Sequence, residues 1–520
     1  MSFLSVGIVR QKYEPPEGAA RFLRCDTAGT YRVISADGSI EVELRKRSAY
    51  PVTYCEVADS EVRFGYGAYG AAESAEYLHC AVDIRGNLRI ERDAFAVLPV
   101  FYVATPEGLL VANSYQAVVS RMPRTELSYA GVVESMAVEA YIARPVVDGV
   151  SWLGEREQLR YRGGELAITR APDRPWLASD DLPPSNPKEF LKKYDAYLDY
   201  FIESRLSGQA YACEVSGGLD SATLPQYLSL RHGQRSLLSS LVLPGEDGEM
   251  QSRKLRAVMD LAGSGILLHD ADLAAFPLAR MLGQPSPTYF ETMYMEVFAP
   301  LYDKLQQRGV KVLAQGDGAD ELLGHLTGAD KYVYWGEDAR GRRQKQQLPL
   351  YATDRFRELY VASTPSEPIH GKPWRPFSTV YGSFSKNELI KRDIWPVSPF
   401  ADYGLYDYVQ GLPIQYRANK NILRMYHHSY GFAPEIYDTQ RNEDFDPFAA
   451  LAFRSPGFRQ LLERYLDGAI TVQLGYVDPA GLWALYDKVQ HADTESAGAA
   501  GFQLYLWLLA EINARVCSEY

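Results

Sequence analysis

A strand that runs into a double glycine and out into a helix constrains this chain more than any other feature. In Tyr211-Ala-Cys-Glu-Val-Ser-Gly-Gly-Leu-Asp-Ser-Ala222 a short apolar run ends in Ser216, Gly217, Gly218, Leu219, Asp220 and Ser221. Adjacent glycines let the backbone turn tightly and approach a ligand without Cβ interference. The N–H groups that open the following helix, helped by its dipole, make a seat for phosphate oxygens. Ser216 and Ser221 add hydroxyl donors. Bare phosphate would repel Asp220, so its place beside one requires Mg2+ between them. The pattern is neither a Walker loop nor GxGxxG. A plain Gly-Gly turn with Asp220 capping the helix is the structural alternative.

The surroundings extend this strand into a sheet. YACEVS (211–216), LLSSLVL (237–243), GILLH (265–269) and VKVLAQ (310–315) are short apolar runs separated by helix-length segments, the mark of βαβ units and a parallel sheet. FLKKYDAYLDYFIESRL (190–206) has helical spacing, and FQLYLWLLAEINARV (502–516) reads as an amphipathic helix. Upstream, RFLRCDTAGTYRVISADGSIEVELR alternates apolar and polar residues and turns at Ala36-Asp37-Gly38, a hairpin signal. PVFYVATPEGLLVAN reads as a second strand pair and VVESMAVEAYIA (132–143) as a helix. Between these halves RAPDRPWLASDDLPPSNPK (170–188) has the proline-rich composition of a linker. The expected domains are 1–185 and 186–520. The basic run ARGRRQKQQ (339–347) reads as an exposed loop.

Charge and cysteine content narrow the functional classes. With 54 Lys and Arg against 66 Asp and Glu, the net charge of −12 argues against a nucleic-acid-coating protein. The 5 cysteines form no CxxC or CxxH pair, so neither a zinc site nor a disulfide framework is expected. No stretch approaches the roughly 20 apolar residues of a membrane span. The opening MSFLSVGIVRQKYEPPEG lacks the form of a secretory leader. A soluble cytoplasmic enzyme is the expectation.

SGGLDSA resembles the pyrophosphate loop of N-type ATP pyrophosphatases, and the rest of the pattern is similar to the asparagine synthetase superfamily. Gln315-Gly-Asp-Gly-Ala-Asp-Glu-Leu-Leu-Gly324 resembles its second glycine motif. Ser398-Pro-Phe-Ala-Asp402, with Gly411-Leu-Pro413, resembles its "PF-x-D … LP" segment, and Lys420-Asn-Ile-Leu-Arg424 its "K-x-x-L-R" helix. The motifs stand in family order. The resemblance implies an α/β architecture: a degenerate Ntn-hydrolase-like α+β sandwich, then an adenine-nucleotide α-hydrolase-like domain with a parallel sheet. It implies ATP and Mg2+, and a carboxylate adenylated for attack by an amine.

The resemblance also assigns roles. Leu219, Leu241 and Gly316 join the glycine loop in the nucleotide site. Asp320 stands where the family places a second Mg2+ ligand beside Asp220; a helix N-cap is its structural alternative. Asp317, between Gly316 and Gly318, stands where the family holds a residue beside the acyl adenylate. An acid there accepts a proton from the attacking ammonium or holds the amine; a turn-stabilising role is the alternative. The family's Lys, eight residues past a Pro, is replaced here by Asn442, counted from Pro434. Arg441 or Lys420 is then the substitute cation.

Arg92-Asp-Ala-Phe-Ala-Val-Leu-Pro-Val-Phe-Tyr102 resembles the "RD-x-x-G-x-x-P-x-x-Y" strand pair of glutamine amidotransferase domains, with Ala96 replacing its glycine. The active form needs an N-terminal Cys, and this chain begins Met1-Ser2-Phe3. The amine is therefore expected from the substrate. The closest character is that of lasso peptide cyclases and β-lactam synthetases. A macrolactam-forming cyclase of antibiotic biosynthesis is favoured, with a precursor peptide and its protease as partners. A small-molecule ligase of the β-lactam synthetase or ammonia-dependent asparagine synthetase kind is the second reading, supported by DELLG after Gly318-Ala319. A non-catalytic scaffold is a third. The tyrosines at 289, 294, 332 and 334 fit an aromatic-lined cleft or plain packing.

Overall fold

The computed structural model describes residues 4–7, 30–34, 41–45, 53–57, 61–66, 78–83, 87–92, 99–105, 108–137, 144–154, 157–170, 187–271, 295–323, 343–363, 387–401, 405, 409, 412, 416, 418–432, 434–437 and 446–519.

The first part is antiparallel. Its strands are β1 (Leu4–Gly7), β2 (Thr30–Ile34), β3 (Glu41–Arg45), β4 (Thr53–Val57), β5 (Glu61–Tyr66), β6 (Leu78–Asp83), β7 (Leu88–Arg92), β8 (Phe101–Thr105), β9 (Gly108–Ala112), β10 (Ser151–Trp152), β11 (Glu157–Arg162) and β12 (Glu165–Arg170). They form two sheets, ordered β10-β8-β9-β1-β3-β2 and β12-β11-β7-β6-β5-β4. Both expected hairpins are present: Tyr31 pairs with Leu44, and Thr105 with Gly108. Alternation places one face of each sheet inside. Leu88 and Ile90 of β7, Cys80 and Val82 of β6, and Leu109 and Val111 of β9 share one core. The other face of the β8–β9 hairpin, through Phe101, Val103 and Ala112, joins a second core with the helices.

The second part is built on a parallel sheet. Its strands are β13 (Tyr211–Glu214), β14 (Ser236–Val242), β15 (Gly263–Asp270), β16 (Val312–Ala314) and β17 (Trp395–Val397), ordered β15-β14-β13-β16-β17. The first four coincide with the expected runs. The fifth is short and carries Pro396, which an edge strand tolerates because no ladder N–H is needed there. The chain moves from β13 outward to β14 and β15, then returns to β16 on the other side of β13. This reversal is a topological switch point, the place where open α/β sheets bind ligands at their carboxyl edge.

Two expectations are corrected. Arg343, inside the basic run, is fully buried rather than exposed. Its Nη1 donates to Glu134 Oε1 at 3.1 Å and to the Tyr360 carbonyl at 2.9 Å, and its guanidinium lies 4.3 Å from the Tyr360 ring centroid. Glu134 belongs to the helix Tyr129–Ala137 of the first part, so this ion pair joins the two parts. Tyr351 and Thr125 strengthen the junction: Tyr351 donates to the Met136 carbonyl, and Thr125 Oγ1 to the Cys517 carbonyl at 2.8 Å. The helix Thr494–Glu519 is exposed at Thr494, Glu495 and Ala499, but from Ala500 to Cys517 it is buried on nearly every side, not amphipathic. Leu504 through Asn513 is an unbroken buried run, and it includes Glu511, whose carboxylate accepts from the N–H groups of Ile470 and Thr471.

Candidate active site

The first glycine loop leaves β13 and enters the helix Leu219–His232. Gly217 has φ +89, a conformation that side-chain-bearing residues avoid. Gly218, which has no side chain to cap with, stands at the start of the helix, and Asp220 lies in its first turn. The serines hold the loop closed. The Ser216 N–H donates to Ser221 Oγ at 3.0 Å, the two hydroxyls lie 3.1 Å apart, and the Gly218 N–H donates to Ser216 Oγ at 3.1 Å. Ser216 is exposed, and Ser221 and Asp220 are half-buried.

The second loop leaves β16 and presses onto the first. A Cβ built on Gly316 would lie 2.8 Å from Ser221 N and 3.1 Å from the Asp220 carbonyl carbon. Backbone touches backbone there, so only glycine fits. Gly318, at φ +91, lies against the main chain of Phe400 and Ala401. Ser398, which follows β17, donates from Oγ to the Asp317 carbonyl at 2.5 Å and accepts from the Phe400 N–H at 3.2 Å. Three of the sequence motifs therefore converge on one edge of the sheet. Asp317 is half-buried and fixed through its backbone. Asp320 lies in the short helix Ala319–Leu323; its carboxylate is outside the described residues.

The fourth motif arrives from the far end of the chain. Lys420 Nζ forms an ion pair with Asp220 Oδ2, and the two side chains are only 14% and 19% exposed. The expected metal ligand and the expected substitute cation are thus direct partners. Lys420 precedes the helix Asn421–Ser429 at φ 57, directly after Asn419 at φ 53. Consecutive left-handed residues that are not glycine are costly, and surrounding packing must hold them. Asp220 also contributes to the field at Tyr194, whose phenol is pushed well above its ordinary range, first by burial and then by Asp220 and Asp195.

Sequence reasoning gave no role to three contributors. Glu214 ends β13 and accepts from Gln315 Nε2 at 3.3 Å, which places another acid on the edge. Burial first, then Glu214 and Asp317, raises the buried phenol of Tyr302. Ser398 carried a readable signal, an apolar run WPV broken by Ser-Pro. Gln251 carried none: from the helix Gly245–Ala262 it donates to the Leu241 carbonyl at 2.7 Å and accepts from the Leu243 N–H at 3.0 Å. Leu241 itself is buried, so what it offers a nucleotide is backbone, and Gln251 already engages its carbonyl. Arg441, Asn442, Ser2 and the tyrosines at 289, 294, 332 and 334 lie outside the described residues.

The asparagine synthase family model matches residues 397–515. The matched stretch begins at the end of β17 and takes in Ser398, Lys420 and the helix Asn421–Ser429. It supports the asparagine synthetase superfamily and an ATP-using ligase. A search of curated proteins returns no match. No helix among the described residues is long and apolar enough to cross a membrane. Among those residues no cluster of three or more His, Cys, Asp or Glu converges to hold a metal on protein ligands alone.

Proposed function

We propose that this chain is an AMP-forming carboxylate–amine ligase that closes a macrolactam in a lasso-type peptide without hydrolysing glutamine. The observation that carries the nucleotide part is the contact of Gly316 with the backbone of Asp220 and Ser221. It makes one cradle from two loops at the switch point of a parallel sheet, beside a helix N-terminus without a side-chain cap. Exposed Ser216, half-buried Ser221 and the Asp220 carboxylate suit a polyphosphate shared with a hard cation. Mg2+ held by Asp220 and Asp320 would supply charge neutralisation at the phosphates.

The chain's own groups take the remaining roles. The glycine loops bind and orient the triphosphate so that the substrate carboxylate attacks the α-phosphorus and pyrophosphate leaves. Lys420 is the cation at Asp220, and Arg441 stands near the vacant family Lys position to receive charge on the leaving group. Asp317 takes the proton of the attacking ammonium. Residues 1–185 serve as a retained sandwich, and the amine comes from the peptide itself. The DELLG segment after Gly318-Ala319 favours a second reading, a small-molecule ligase using the same site.

The test is exchange of labelled pyrophosphate into ATP with a panel of acids. The panel holds short peptides with a free N-terminus and an internal Asp or Glu, and small amino acids. Exchange with a peptide, and a product lighter by one water, is expected. Exchange with small acids alone selects the second reading. Release of ADP and phosphate with every acid, and no exchange, overturns the adenylating reading.

A further inference from the structure

The Lys420–Asp220 contact joins two helices far apart in sequence, and it depends on a left-handed Lys420. Something must fix how the helix Asn421–Ser429 is turned against the helix Leu219–His232. Three residues beyond Asp220 is Thr223, and seven beyond Lys420 is His427. Asp220 and Thr223 share one face of their helix, and His427 lies in the second turn of the helix that Lys420 precedes. Thr223 Oγ1 and His427 Nε2 are 2.8 Å apart, and both residues are fully buried. The two helices are therefore tied twice along one line, once at the candidate site and once in the core.

The direction of the buried bond follows from proton counting. Thr223 Oγ1 also lies 3.0 Å from the Leu219 carbonyl, one turn back, and a hydroxyl has a single proton. The carbonyl takes it, so the network assigns the imidazole proton to Nε2, donating to Thr223 Oγ1. Burial, then Arg424, lowers His427 to about 3, so the ring is neutral at ordinary pH. The edge-on contact of its ring with Phe432, at 4.6 Å between centroids, holds the ring plane. An apolar pair would fill the same space but would let the helices rotate past one another. A buried hydrogen bond is directional and costly to leave unmade.

We propose that Thr223 and His427 are a positioning pair that sets the rotation of the helix Asn421–Ser429 and so brings Lys420 onto Asp220. The role in catalysis rests on the nucleotide site proposed above; the role in holding Lys420 does not.

The test uses the full chain as Thr223→Ser, Thr223→Val, His427→Phe and the double Thr223→Val/His427→Phe variant. Reductive methylation of Lys420, followed by peptide mass spectrometry against exposed Lys488, reads the ion pair without any nucleotide. MgATP titration reads the site. Thr223→Ser is expected to behave as wild type. Thr223→Val and the double variant should methylate Lys420 at nearly the Lys488 rate. They should also weaken MgATP binding by about 10-fold or more, the equivalent of about 1.4 kcal/mol of lost contact. The double variant removes both polar partners and is expected to regain melting temperature but not Lys420 shielding. A stable double variant with Lys420 shielded as in wild type overturns the proposal and makes the pair plain packing. A wild-type chain that binds no MgATP defeats the nucleotide reading, while the labelling pattern still decides the pair.

Discussion

The antiparallel sandwich and the parallel sheet handle their strand ends differently. In the sandwich, neighbouring strands run in opposite directions, so the loops divide between both ends of the layers. In the parallel sheet every carboxyl end lies on one edge, and the loops after β13, β16 and β17 meet there. Motifs separated by some 100–200 residues in sequence thus come within hydrogen-bonding range: Glu214 with Gln315, and Asp220 with Lys420. The difference puts the glycine loops together at the switch-point edge, while the sandwich packs against the second part. The buried Glu134–Arg343 pair is where that packing is fixed.

The largest effect expected from breaking this arrangement is at Gly316. A valine there would drive its Cβ into the Ser221 backbone, which cannot yield without opening the loop. Gly316→Val should weaken MgATP binding by at least about 10²-fold, the equivalent of about 2.8 kcal/mol of lost contact, with little change in the circular dichroism spectrum. Titration calorimetry measures it. Retained affinity would mean that the two loops do not form one cradle.

Next is the junction. Glu134→Ala leaves Arg343 buried beside Tyr360 without its carboxylate. Removal of one partner of a buried ion pair costs about 3–5 kcal/mol. Urea unfolding should show that loss. A change below about 1 kcal/mol would show that the pair does not hold the parts together.

A smaller effect is expected from acid, and it separates the two regions. His79 in β6 is lowered to about 4, by burial first and then by Arg89, and His427 to about 3. Both folded values lie below the ordinary 6.5, so the unfolded chain takes up these protons first. The stability they contribute is complete above pH 6.5 and is lost as pH falls from there towards 4 and 3. The loss for His427 is bounded by about 1.4 kcal/mol per pH unit; that for partly exposed His79 is less. Comparing urea midpoints at pH 7 and pH 5 should show a drop that His427→Phe reduces more than His79→Phe does. Equal midpoints at the two pH values would contradict the buried neutral state of both rings.

Much of the fold was legible because the signals were local. A short, mostly apolar run such as LLSSLVL names a buried strand, and SGGLDS names a tight turn into a helix. The remainder depended on partners that no local pattern reveals. Arg343 sits among Arg, Lys and Gln, so its run reads as solvated; only the distant Glu134 carboxylate makes its burial tolerable. The helix Thr494–Glu519 carries Glu511 and Arg515 four residues apart, a spacing that suggests a polar face. The N–H groups of Ile470 and Thr471 satisfy Glu511 in the interior. At the site, Gly316 and Asp220 were each readable, but their contact was not. Lys420 and Asp220 were assigned separate roles because an ion pair spanning 200 residues leaves no trace in spacing.

Hydrogen exchange on the whole chain, with and without MgATP, tests the central claim most directly because it requires no knowledge of the acid or the amine. The account predicts new protection in Val215–Thr223 and Gln315–Leu323, with a smaller gain at Lys420–Leu423. The strands Leu78–Asp83, Leu88–Arg92 and Glu157–Arg162 of the sandwich should be unchanged. Protection confined to those sandwich strands, or none anywhere at saturating MgATP, would contradict a nucleotide site at the switch-point edge.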